Sequence, residues 1–332
     1  MVKPMVQHFL LSAEARSLSL VQVMQMTDTQ VEAMFRLVRW PETKGEPVCP
    51  SCGSPEAYSR PRGKNMPRWR CKACLHNFSL ISGTIFANAK LPLRMYLAAV
   101  SIFSNEVKGK SMLALSRDLG VQYKTAFVLA HKMREAMASE IRGRHVGGVG
   151  RVAEIDGGYF GGYVKPANRR EYRRDRRLRF NQSGKRQCVV VVRERDGYTL
   201  PGVFRTEAEA LSFIRQCVAK ETTINADEAG SWNDLHSKYE MRRINHEEAY
   251  SLNGACTNQA ESFFSRMRRA EIGHHHHIAG PYLLRYAQEV CWREDNRRIS
   301  TGEQVNAIST LAMRCKPSVD FSGYWQRAKV TT

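Results

Sequence analysis

Three acidic residues at the boundaries of predicted elements could do chemistry together. Asp156 and Asp227 each close a short apolar run, RVAEID and TTINAD, and Glu261 stands near the start of a predicted helix. Adjacent parallel strands bring their carboxyl ends to one edge of a sheet, where two carboxylates can share a metal ion. Hard oxygen ligands suit Mg²⁺ or Mn²⁺, and two ions about 3.5–4 Å apart can clamp the attacking and leaving oxygens of a phosphoryl displacement.

The spacing of these acids also has a purely structural interpretation. The chain contains 32 Asp and Glu residues, so many such triples exist by chance. Asp227 could cap the turn that follows it. Asn258 and Glu261 stand at the spacing of a capping box, which would only stabilise a helix start. From the residues alone, a metal-dependent phosphoryl-transfer site and three unrelated structural acids both stay open.

Four of the nine cysteines occur as two pairs, CPSC and CKAC, with eighteen residues between the pairs. This spacing predicts a zinc ribbon in which Cys49, Cys52, Cys71 and Cys74 close a tetrahedral shell around one structural Zn²⁺. A redox pair or four unliganded thiols are the alternatives. The other cysteines are scattered singly and the sequence shows no export signal, so we expect a reducing, cytoplasmic location.

The charge balance favours a nucleic-acid partner. The chain carries 51 Lys and Arg against 32 Asp and Glu, a formal net charge of +19, which is more than a small acidic ligand would require. No apolar run approaches the roughly 18–20 residues of a transmembrane helix, so we expect no membrane partner. In the ribbon segment, which has no acid between 60 and 72, the candidate DNA-binding residues are Arg62, Lys64, Arg68 and Arg70. They could also form only a solvated face.

A second basic segment, residues 165–186, lies between the first two strands predicted for the C-terminal half, and we call it the basic loop. It holds ten Lys or Arg against two acids. It could follow a DNA backbone beside the acidic site, or it could be a solvated loop. Its candidate DNA-binding residues are Arg169, Arg170, Arg173, Arg174, Arg176, Arg177, Lys185 and Arg186.

The middle of the chain has helical periodicity. Apolar residues recur at helical spacing from Leu93 to Phe103 behind Pro92, and residues 109–138 predict two helices around a Gly turn. This is the pattern of a helix-turn-helix, whose second helix enters the major groove with its N-terminal side chains. An ordinary helical hairpin is the alternative. The candidate base-reading residues are Gln122, Tyr123, Lys124 and Thr125.

The C-terminal half alternates strand and helix signals. Strands are predicted at 151–156, 188–192 and 198–205, then a helix at 207–220, a strand at 222–227, a helix at 231–239, a strand at 241–245 and helices at 257–270 and 281–298. The order predicts an α/β domain with a mixed sheet flanked by helices, whose first strands are antiparallel.

The ordered motifs resemble the ISXO-like group of bacterial insertion-sequence transposases, which join an N-terminal zinc ribbon to a DDE-type, ribonuclease-H-like catalytic domain. The resemblance runs from about 36 to 298. The motifs that carry it are RLVRWP, CPSCGS, WRCKACLHNFSLISGTIFANAKLPLRMYLAA, ALSRDLGVQYKTAFVLAHKMREAM, EIDGGYFGG, TINADEAGSW, INHEEAY, TNQAESFFSRMRR and LLRYAQEVCWREDNRR.

The resemblance implies a domain order and a catalytic set. The expected order is an N-terminal helical segment (1–45), the zinc ribbon (46–80), an all-α helix-turn-helix domain (85–145), the ribonuclease-H-like DDE domain (150–300) and a C-terminal tail (301–332). Asp156, Asp227 and Glu261 fall on the three acidic positions, which hold two Mg²⁺ or Mn²⁺ ions in such enzymes. Arg268, seven residues past Glu261, stands where the family usually has Lys and could hold a DNA phosphate.

Histidines complete the implied set. His246 matches a recurring His near the third acid and is either an active-site helper or a structural histidine. The run His274–His277 fits a Gly-x-x-His pattern of the family at Gly273 and His276, and could be a polar surface turn or a chance metal site.

The function implied by the resemblance is a DNA transposase of the bacterial nucleoid. It would bind the terminal inverted repeats of its insertion sequence and catalyse metal-dependent strand cleavage and strand transfer. Double-stranded DNA and further copies of the chain would be its partners. A catalytically inactive, transposase-derived DNA-binding regulator and a metal-dependent nuclease without strand transfer are the alternatives.

Overall fold

The computed structural model describes residues 8–61, 63, 66–88, 90–162, 166–175, 178–181, 183–245 and 256–327. The chain divides into two compact units. Unit 1 comprises Met1–Glu140 and Asn296–Thr332, and unit 2 comprises Ile141–Asp295. Unit 2 is therefore a continuous insertion in the sequence of unit 1.

Unit 1 is mostly helical. Ser19 and Thr27 open the first two helices with capping boxes that satisfy the exposed N–H groups, and α3 packs against α1, α2 and a helix from the C-terminal part of the chain. The helices are α1 (Leu20–Gln25), α2 (Asp28–Arg39), α3 (Leu93–Asn105), α4 (Met112–Asp118), α5 (Tyr123–Ile141), α9 (Thr301–Arg314) and α10 (Tyr324–Arg327).

Helix α9 was not predicted. The sequence analysis expected a tail over 301–332, whereas this helix packs on α2 and α3 and begins with a capping box between Ser300 and Glu303. The S-x-x-E spacing before an apolar run is a helix-start signal that the sequence carries. The finer domain boundaries expected at 46–80, 85–145 and 150–300 stay predictions.

The zinc-ribbon segment of unit 1 is a three-stranded antiparallel sheet of β1 (Ala57–Arg60), β2 (Arg68–Cys71) and β3 (Asn77–Ser79). Its aromatic core consists of Trp69 and Phe78, with Trp40 packed edge-on against Trp69. The half-buried guanidinium of Arg39 donates to the backbone carbonyls of Ser79, Leu80 and Ser82, which joins α2 to the end of the ribbon.

Unit 2 is built on a five-stranded mixed sheet in the order β6-β5-β4-β7-β8. Strand β5 pairs antiparallel with β4 and β6, whereas β7 pairs parallel with β4 and β8. This is the predicted mixed α/β sheet, and it is consistent with the ribonuclease-H-like fold that was expected. The strands are β4 (Val152–Phe160), β5 (Gln187–Glu194), β6 (Thr199–Phe204), β7 (Thr223–Asp227) and β8 (Glu240–Ile244).

Helices cover both faces of this sheet. On one face, Ile155 and Ala226 pack with Ile214 of α6 (Leu211–Cys217) and with Trp232 of the 3-10 helix Gly230–Ser237. On the other face, Val189 and Val191 pack with side chains of α7 (Asn258–Ala270) and α8 (Leu283–Asp295). The four consecutive valines of β5 are fully buried because both faces are covered.

None of the helices in the described part of the chain is long and apolar enough to cross a membrane.

Candidate functional site

Asp156 and Asp227 occupy equivalent positions on two neighbouring parallel strands. The β4–β7 ladder ends with the pair Ile155 and Ala226, and the two aspartates are the next residue on each strand. Because Ile155 and Ala226 face the α6 side, the alternation of side chains directs both aspartates to the α7 side. The expectation that parallel strands bring these carboxylates to one sheet edge is met.

One detail of the sequence analysis is wrong. Asp156 does not end its strand, because β4 continues to Phe160. On its antiparallel side, β4 pairs with β5 as far as Phe160, which lies opposite Gln187. On its parallel side, the pairing with β7 ends at Ile155. At Asp156, β4 is therefore no longer paired with β7 but is still paired with β5. The pairing with β5 holds the strand backbone, and the side that faced β7 is open to the site.

Burial and neighbouring acids raise the pKa of Asp156 to about 7. Desolvation is the largest cause, and the charges of Asp227, Glu207 and Glu261 act in the same direction. The backbone N–H of Gly157 donates to Asp156 Oδ1 at 2.7 Å and opposes the shift. A carboxylate in this setting is stabilised by a nearby cation, as at a divalent-metal site.

Asp227 is held in place by donors from the turn that follows β7. The indole Nε1 of the fully buried Trp232 donates to Asp227 Oδ1 at 2.8 Å, and the backbone N–H of Ala229 donates to the same oxygen at 3.3 Å. Both bonds reach the carboxylate from one side and orient it. This contact is the turn-capping role considered from the sequence, and it is compatible with a ligand role for the other oxygen.

Glu261 lies in the first turn of α7, as predicted. The N-cap of α7 is Thr257 rather than Asn258, and Thr257 makes no side-chain capping bond, so the capping-box alternative is wrong. Instead, Thr257 Oγ1 donates to Glu261 Oε1 at 3.4 Å. Glu261 therefore does not form the capping box considered from the sequence.

Helix α7 approaches β4 closely because the strand carries glycine. A Cβ added to Gly158 would lie 2.5 Å from two ring carbons of Phe264, closer than van der Waals contact allows. Phe264 is one turn beyond Glu261 on α7, and Gly158 is two residues beyond Asp156 on the same face of β4. The contact between Gly158 and Phe264 therefore determines where Glu261 of α7 lies along β4 relative to Asp156.

Glu207 is a fourth acid at this edge that sequence reasoning missed. Its side chain lies against Gly157, where an added Cβ would meet the carboxylate oxygen at 2.6 Å, and Ser231 Oγ donates to Glu207 Oε2 at 3.2 Å. Burial, followed by the charge of Asp227, raises its pKa. The sequence alone does not indicate this position, because the strand before Glu207, β6, is placed in the same direction as β4 only by its pairing with β5.

The carboxylates fit a divalent metal by chemistry, but they are not yet gathered around one point. Among the described residues, the only group of three or more His, Cys, Asp or Glu with ligand atoms within 4.8 Å of one another is the four-cysteine cluster. Asp156, Asp227 and Glu261 are close enough for their charges to raise the Asp156 pKa. Binding one ion through all three would therefore draw their oxygens closer together.

Two arginines border the acidic edge. The exposed Arg268 places its guanidinium carbon 5.6 Å from the centre of the Phe264 ring, on the side of α7 that carries Glu261 two turns earlier. Arg186 of the basic loop places its guanidinium carbon 3.9 Å from the centre of the Tyr159 ring, and its charge lowers the pKa of Glu207. Arg186 therefore lies close enough to the acids to act on Glu207, and Arg268 lies on the helix that carries Glu261.

The rest of the basic loop is mostly exposed where it is described. Arg169 pairs with Glu171 at 3.6 Å, and Arg173 donates to the carbonyls of Ala167 and Asn168. Within this loop, the exposed residues of the predicted DNA-binding set are Arg169, Arg170, Arg173, Arg174 and Lys185. Other candidate site residues lie outside the described residues: Arg176 and Arg177 of this loop, Arg62 and Lys64 of the ribbon, and the candidate helper His246.

The four cysteines form a preformed metal centre. Cys49 Sγ lies 3.6 Å from Cys74 Sγ, and Cys52 Sγ lies 3.5 Å from Cys71 Sγ. A tetrahedral Zn²⁺ with Zn–S bonds of about 2.3 Å separates its sulfurs by about 3.8 Å, so the cluster fits a structural zinc ion. The backbone N–H of Cys74 donates to Cys71 Sγ and lowers the pKa of that thiol, which favours the metal-binding thiolate.

The ribbon presents its cations on one face of β2. Arg68 is exposed and Arg70 is half-buried, whereas Trp69 and Cys71 point inward, as the alternation along a strand requires. Trp69 lies among these basic residues in the sequence, but its side chain is buried between Trp40 and Phe78. It therefore supports the ribbon core.

The predicted pair of helices is present as α4 and α5, with a difference from the usual helix-turn-helix. Gln122, Tyr123 and Lys124 are exposed and Thr125 is half-buried, but from Ala126 onward α5 is buried on nearly all sides. Only the first turn of this helix is presented. It would have to meet DNA end-on rather than lie along a groove.

The histidine run forms a turn at the end of α7. A π-helical segment, Glu271–His275, continues α7, and His276 has a positive φ of 56°. His275 packs edge-on against Tyr286. Because no metal cluster includes these histidines in the described part of the chain, the arrangement favours the polar-turn interpretation.

Comparison with known protein families agrees with this geometry. Residues 148–295 match the ISXO2-like transposase domain, and residues 26–77 match the transposase zinc-ribbon domain. No curated protein was found that matches the chain. The first match spans the sheet, α7 and the acidic edge, and the second spans α2 and all four cysteines, so the chain contains an ISXO2-like transposase domain and, before it, a transposase zinc-ribbon domain.

Proposed function

We propose that this protein is a DNA transposase that binds the terminal inverted repeats of its own insertion sequence, cleaves the DNA there and joins the freed ends to target DNA. The observation that carries the proposal is the register of Asp156 and Asp227 at the end of the β4–β7 ladder, with Glu261 on the helix that packs over it. The family match to a DDE transposase domain gives this arrangement its chemical meaning.

Asp156, Asp227 and Glu261 are the residues that would hold the divalent ions. Mg²⁺ or Mn²⁺, when bound, supplies a Lewis acid that activates the attacking oxygen and neutralises charge on the phosphate. Trp232 and Ala229 keep the Asp227 carboxylate oriented, and Gly157 does the same for Asp156. The chain thus supplies fixed anionic oxygens without a covalent enzyme intermediate.

The cations at the border of the site would position DNA. Arg268 and Arg186 can each donate paired hydrogen bonds to phosphate oxygens beside the acids. In the first step a water oxygen forms a bond to phosphorus, and the bond to the 3′-oxygen breaks, which leaves a 3′-hydroxyl and a 5′-phosphate. In the second step that 3′-hydroxyl attacks a target phosphodiester and displaces its 3′-oxygen.

The remaining DNA contacts would come from unit 1. The first turn of α5 would read bases at the element end through Gln122 and Lys124, and Arg68 of the ribbon would hold backbone. Transposition joins two element ends, so we propose that at least two copies of the chain assemble on DNA.

The test is to incubate the zinc-loaded protein with Mg²⁺ and a DNA duplex carrying the flanking ends of its own gene, together with target plasmid, and to sequence the products. Joined ends in the target support the proposal, and Asp227→Asn is the inactive control. Cleaved but unjoined ends would indicate a nuclease. Binding without cleavage would indicate a DNA-binding regulator.

A further inference from the structure

Glu154 is a fully buried carboxylate in the middle of β4, two residues before Asp156 and on the same face of the strand. Burying a charged group is costly unless it is paired and hydrogen-bonded. Glu154 meets both conditions, and its partners belong to the helix that carries Glu261 and to an arginine from the β5–β6 turn. The following contacts show what this residue holds.

One oxygen of Glu154 caps the start of α7. Glu154 Oε2 accepts hydrogen bonds from the backbone N–H of Gln259 at 2.8 Å and of Ala260 at 3.1 Å. These N–H groups are among those that the first turn of a helix leaves without an intrahelical partner, and the helix dipole favours an anion there. Thr257, the N-cap residue, makes no side-chain cap, so Glu154 replaces it from another strand.

The other oxygen of Glu154 is tied to Arg195. Arg195 Nε donates to Glu154 Oε1 at 3.1 Å, and Arg195 Nη2 donates to the backbone carbonyl of Cys256 at 3.4 Å. Asn225 Nδ2 donates to the same carbonyl at 3.1 Å. The residues that lead into α7 are thus fixed from three directions.

The register of the sheet connects this cluster with the site. Glu154 pairs with Asn225 across β4 and β7, and Asp156 and Asp227 follow two residues later on the same strands. Because side chains alternate along a strand, both of these residue pairs face α7. Glu154 and Asn225 hold the start of the helix. Asp156 and Asp227 present their carboxylates to Glu261, which the helix carries.

We propose that Glu154 is a positioning residue for Glu261: it anchors the N-terminus of α7 to β4 and so sets the distance between Glu261 and the aspartates. The proposal rests on the proposed function, because it assigns Glu261 to the metal-binding set. Glu154 itself stays two residues below that set and binds backbone N–H groups and Arg195 instead of an ion.

The test compares Glu154→Gln with a matched control, Glu289→Gln. Glu289 is also a buried glutamate of unit 2, but it lies on α8 and is ion-paired with Arg293 of the same helix. Mn²⁺ binding to the zinc-loaded, DNA-free chain is measured by calorimetry, and cleavage of element ends is titrated with Mn²⁺. We expect Glu154→Gln to weaken Mn²⁺ binding by about 10- to 100-fold, the usual range for residues that orient metal ligands, and Glu289→Gln to leave it within about twofold of wild type.

A double variant separates positioning from general loosening of the fold. If Glu154 acts through Glu261, then adding Glu154→Gln to Glu261→Gln changes the remaining Mn²⁺ affinity by less than about twofold. Wild-type Mn²⁺ affinity in Glu154→Gln, or a full additional loss in the double variant, would overturn the proposal. If Glu154→Gln does not fold, Arg195→Gln is tested instead, because it leaves both hydrogen bonds between Glu154 and the backbone of α7 in place. We expect Arg195→Gln to weaken Mn²⁺ binding in the same direction but by less. Unchanged Mn²⁺ binding in Arg195→Gln would then overturn the proposal.

The two proposals fail in different ways. If the wild type binds Mn²⁺ but neither cleaves nor joins element ends, the transposase proposal fails, and the Mn²⁺ measurements still decide the role of Glu154. If the wild type cuts and joins DNA and Glu154→Gln does so with the same Mn²⁺ dependence, only the positioning role is lost.

Discussion

Asp156 and Asp227 are the first residues beyond the last pair, Ile155 with Ala226, of the parallel ladder between β4 and β7. The strand that carries Asp156 continues along β5, so its backbone does not fray where β7 ends. The paired strands thereby bring two carboxylates together. Burial and the neighbouring acids raise the pKa of Asp156 as a consequence. This relationship underlies the first two predictions.

Asp156→Asn is expected to abolish strand cleavage and to leave DNA binding intact. The amide cannot supply the anionic oxygen that a divalent ion requires, and loss of metal assistance worth several kcal/mol lowers the rate about 10³-fold or more. Cleavage is measured on labelled element ends, and binding by mobility shift. Asp234→Asn, on the exposed side of the Gly230–Ser237 helix, is the control. An unchanged cleavage rate in Asp156→Asn would contradict the catalytic role.

The raised pKa of Asp156 predicts a pH-dependent stability when no Mg²⁺ or Mn²⁺ is added. The pKa is about 7 in the folded chain and about 3.9 in an unfolded one, so the folded state binds more protons between these values. The free energy of unfolding therefore decreases as pH rises from about 4 to about 7, by at most about 1.4 kcal/mol per pH unit. Below pH 4 and above pH 7 this contribution is constant.

Urea unfolding of the zinc-loaded protein at pH 5, 6, 7 and 8 measures this effect. Glu207 and Asp295 also have raised pKa values, so the wild type is compared with Asp156→Asn, which lacks only the Asp156 contribution. We expect the difference between the two free energies to change with pH, and we expect this pH dependence to disappear when saturating Mn²⁺ is added to the wild type, because a bound cation lowers the pKa of Asp156. A difference that is flat over this range would argue against the buried, charge-crowded setting of Asp156.

Gly158→Ala is expected to push α7 away from β4. The new Cβ would meet the Phe264 ring at 2.5 Å, and overpacking of this kind costs about 1–3 kcal/mol. Because Glu261 is one turn from Phe264, cleavage should fall more steeply than stability alone explains. Gly273→Ala, where an added Cβ meets nothing within 4 Å, is the matched control. Equal urea midpoints and equal cleavage rates for the two variants would refute the close-approach argument.

The sequence predicted those parts of the site that depend on local patterns. Asp227 closes a short strand and Glu261 opens a helix, and both positions follow from periodicity and turn residues. The extent of β4 could not be predicted, because its last residues are held by β5, some thirty positions away. Glu154 and Glu207 were missed for the same reason, since their partners on α7 and in the Gly230–Ser237 helix are distant in sequence.

The burial of α5 in unit 1 could not be predicted from the sequence. The period of α5 was predicted correctly, but the pattern of its residues does not reveal that other helices surround it. Arg134 is fully buried there, with its guanidinium carbon 5.4 Å from the centre of the Phe103 ring. A charged residue in a sequence normally indicates an exposed position, and only tertiary packing overrides that rule.

Zinc removal is expected to unfold the ribbon and leave unit 2 folded. Structural zinc supplies much of the folding free energy of a small ribbon. The described core of unit 2 consists instead of buried apolar clusters, and the four-cysteine site lies in unit 1. Hydrogen exchange after chelation should accelerate at residues 57–60 and 68–79 and stay slow in β4 and β5. Cys71→Ser should reproduce the effect and Cys315→Ser should not. Fast exchange throughout β4 and β5 would contradict the independence of the two cores.

The basic loop is expected to set the salt dependence of DNA binding. Each phosphate contact contributes about 0.9 to the slope of log K against log salt concentration. Replacing the exposed Arg169, Arg170, Arg173 and Arg174 by Gln should therefore reduce the slope by three to four, as measured by fluorescence anisotropy between 50 and 300 mM salt. Lys220→Gln combined with Lys238→Gln removes exposed charge elsewhere in unit 2 and should change the slope by less than one. If both variants give the same slope as wild type, the loop is a solvated segment and the DNA backbone is held elsewhere.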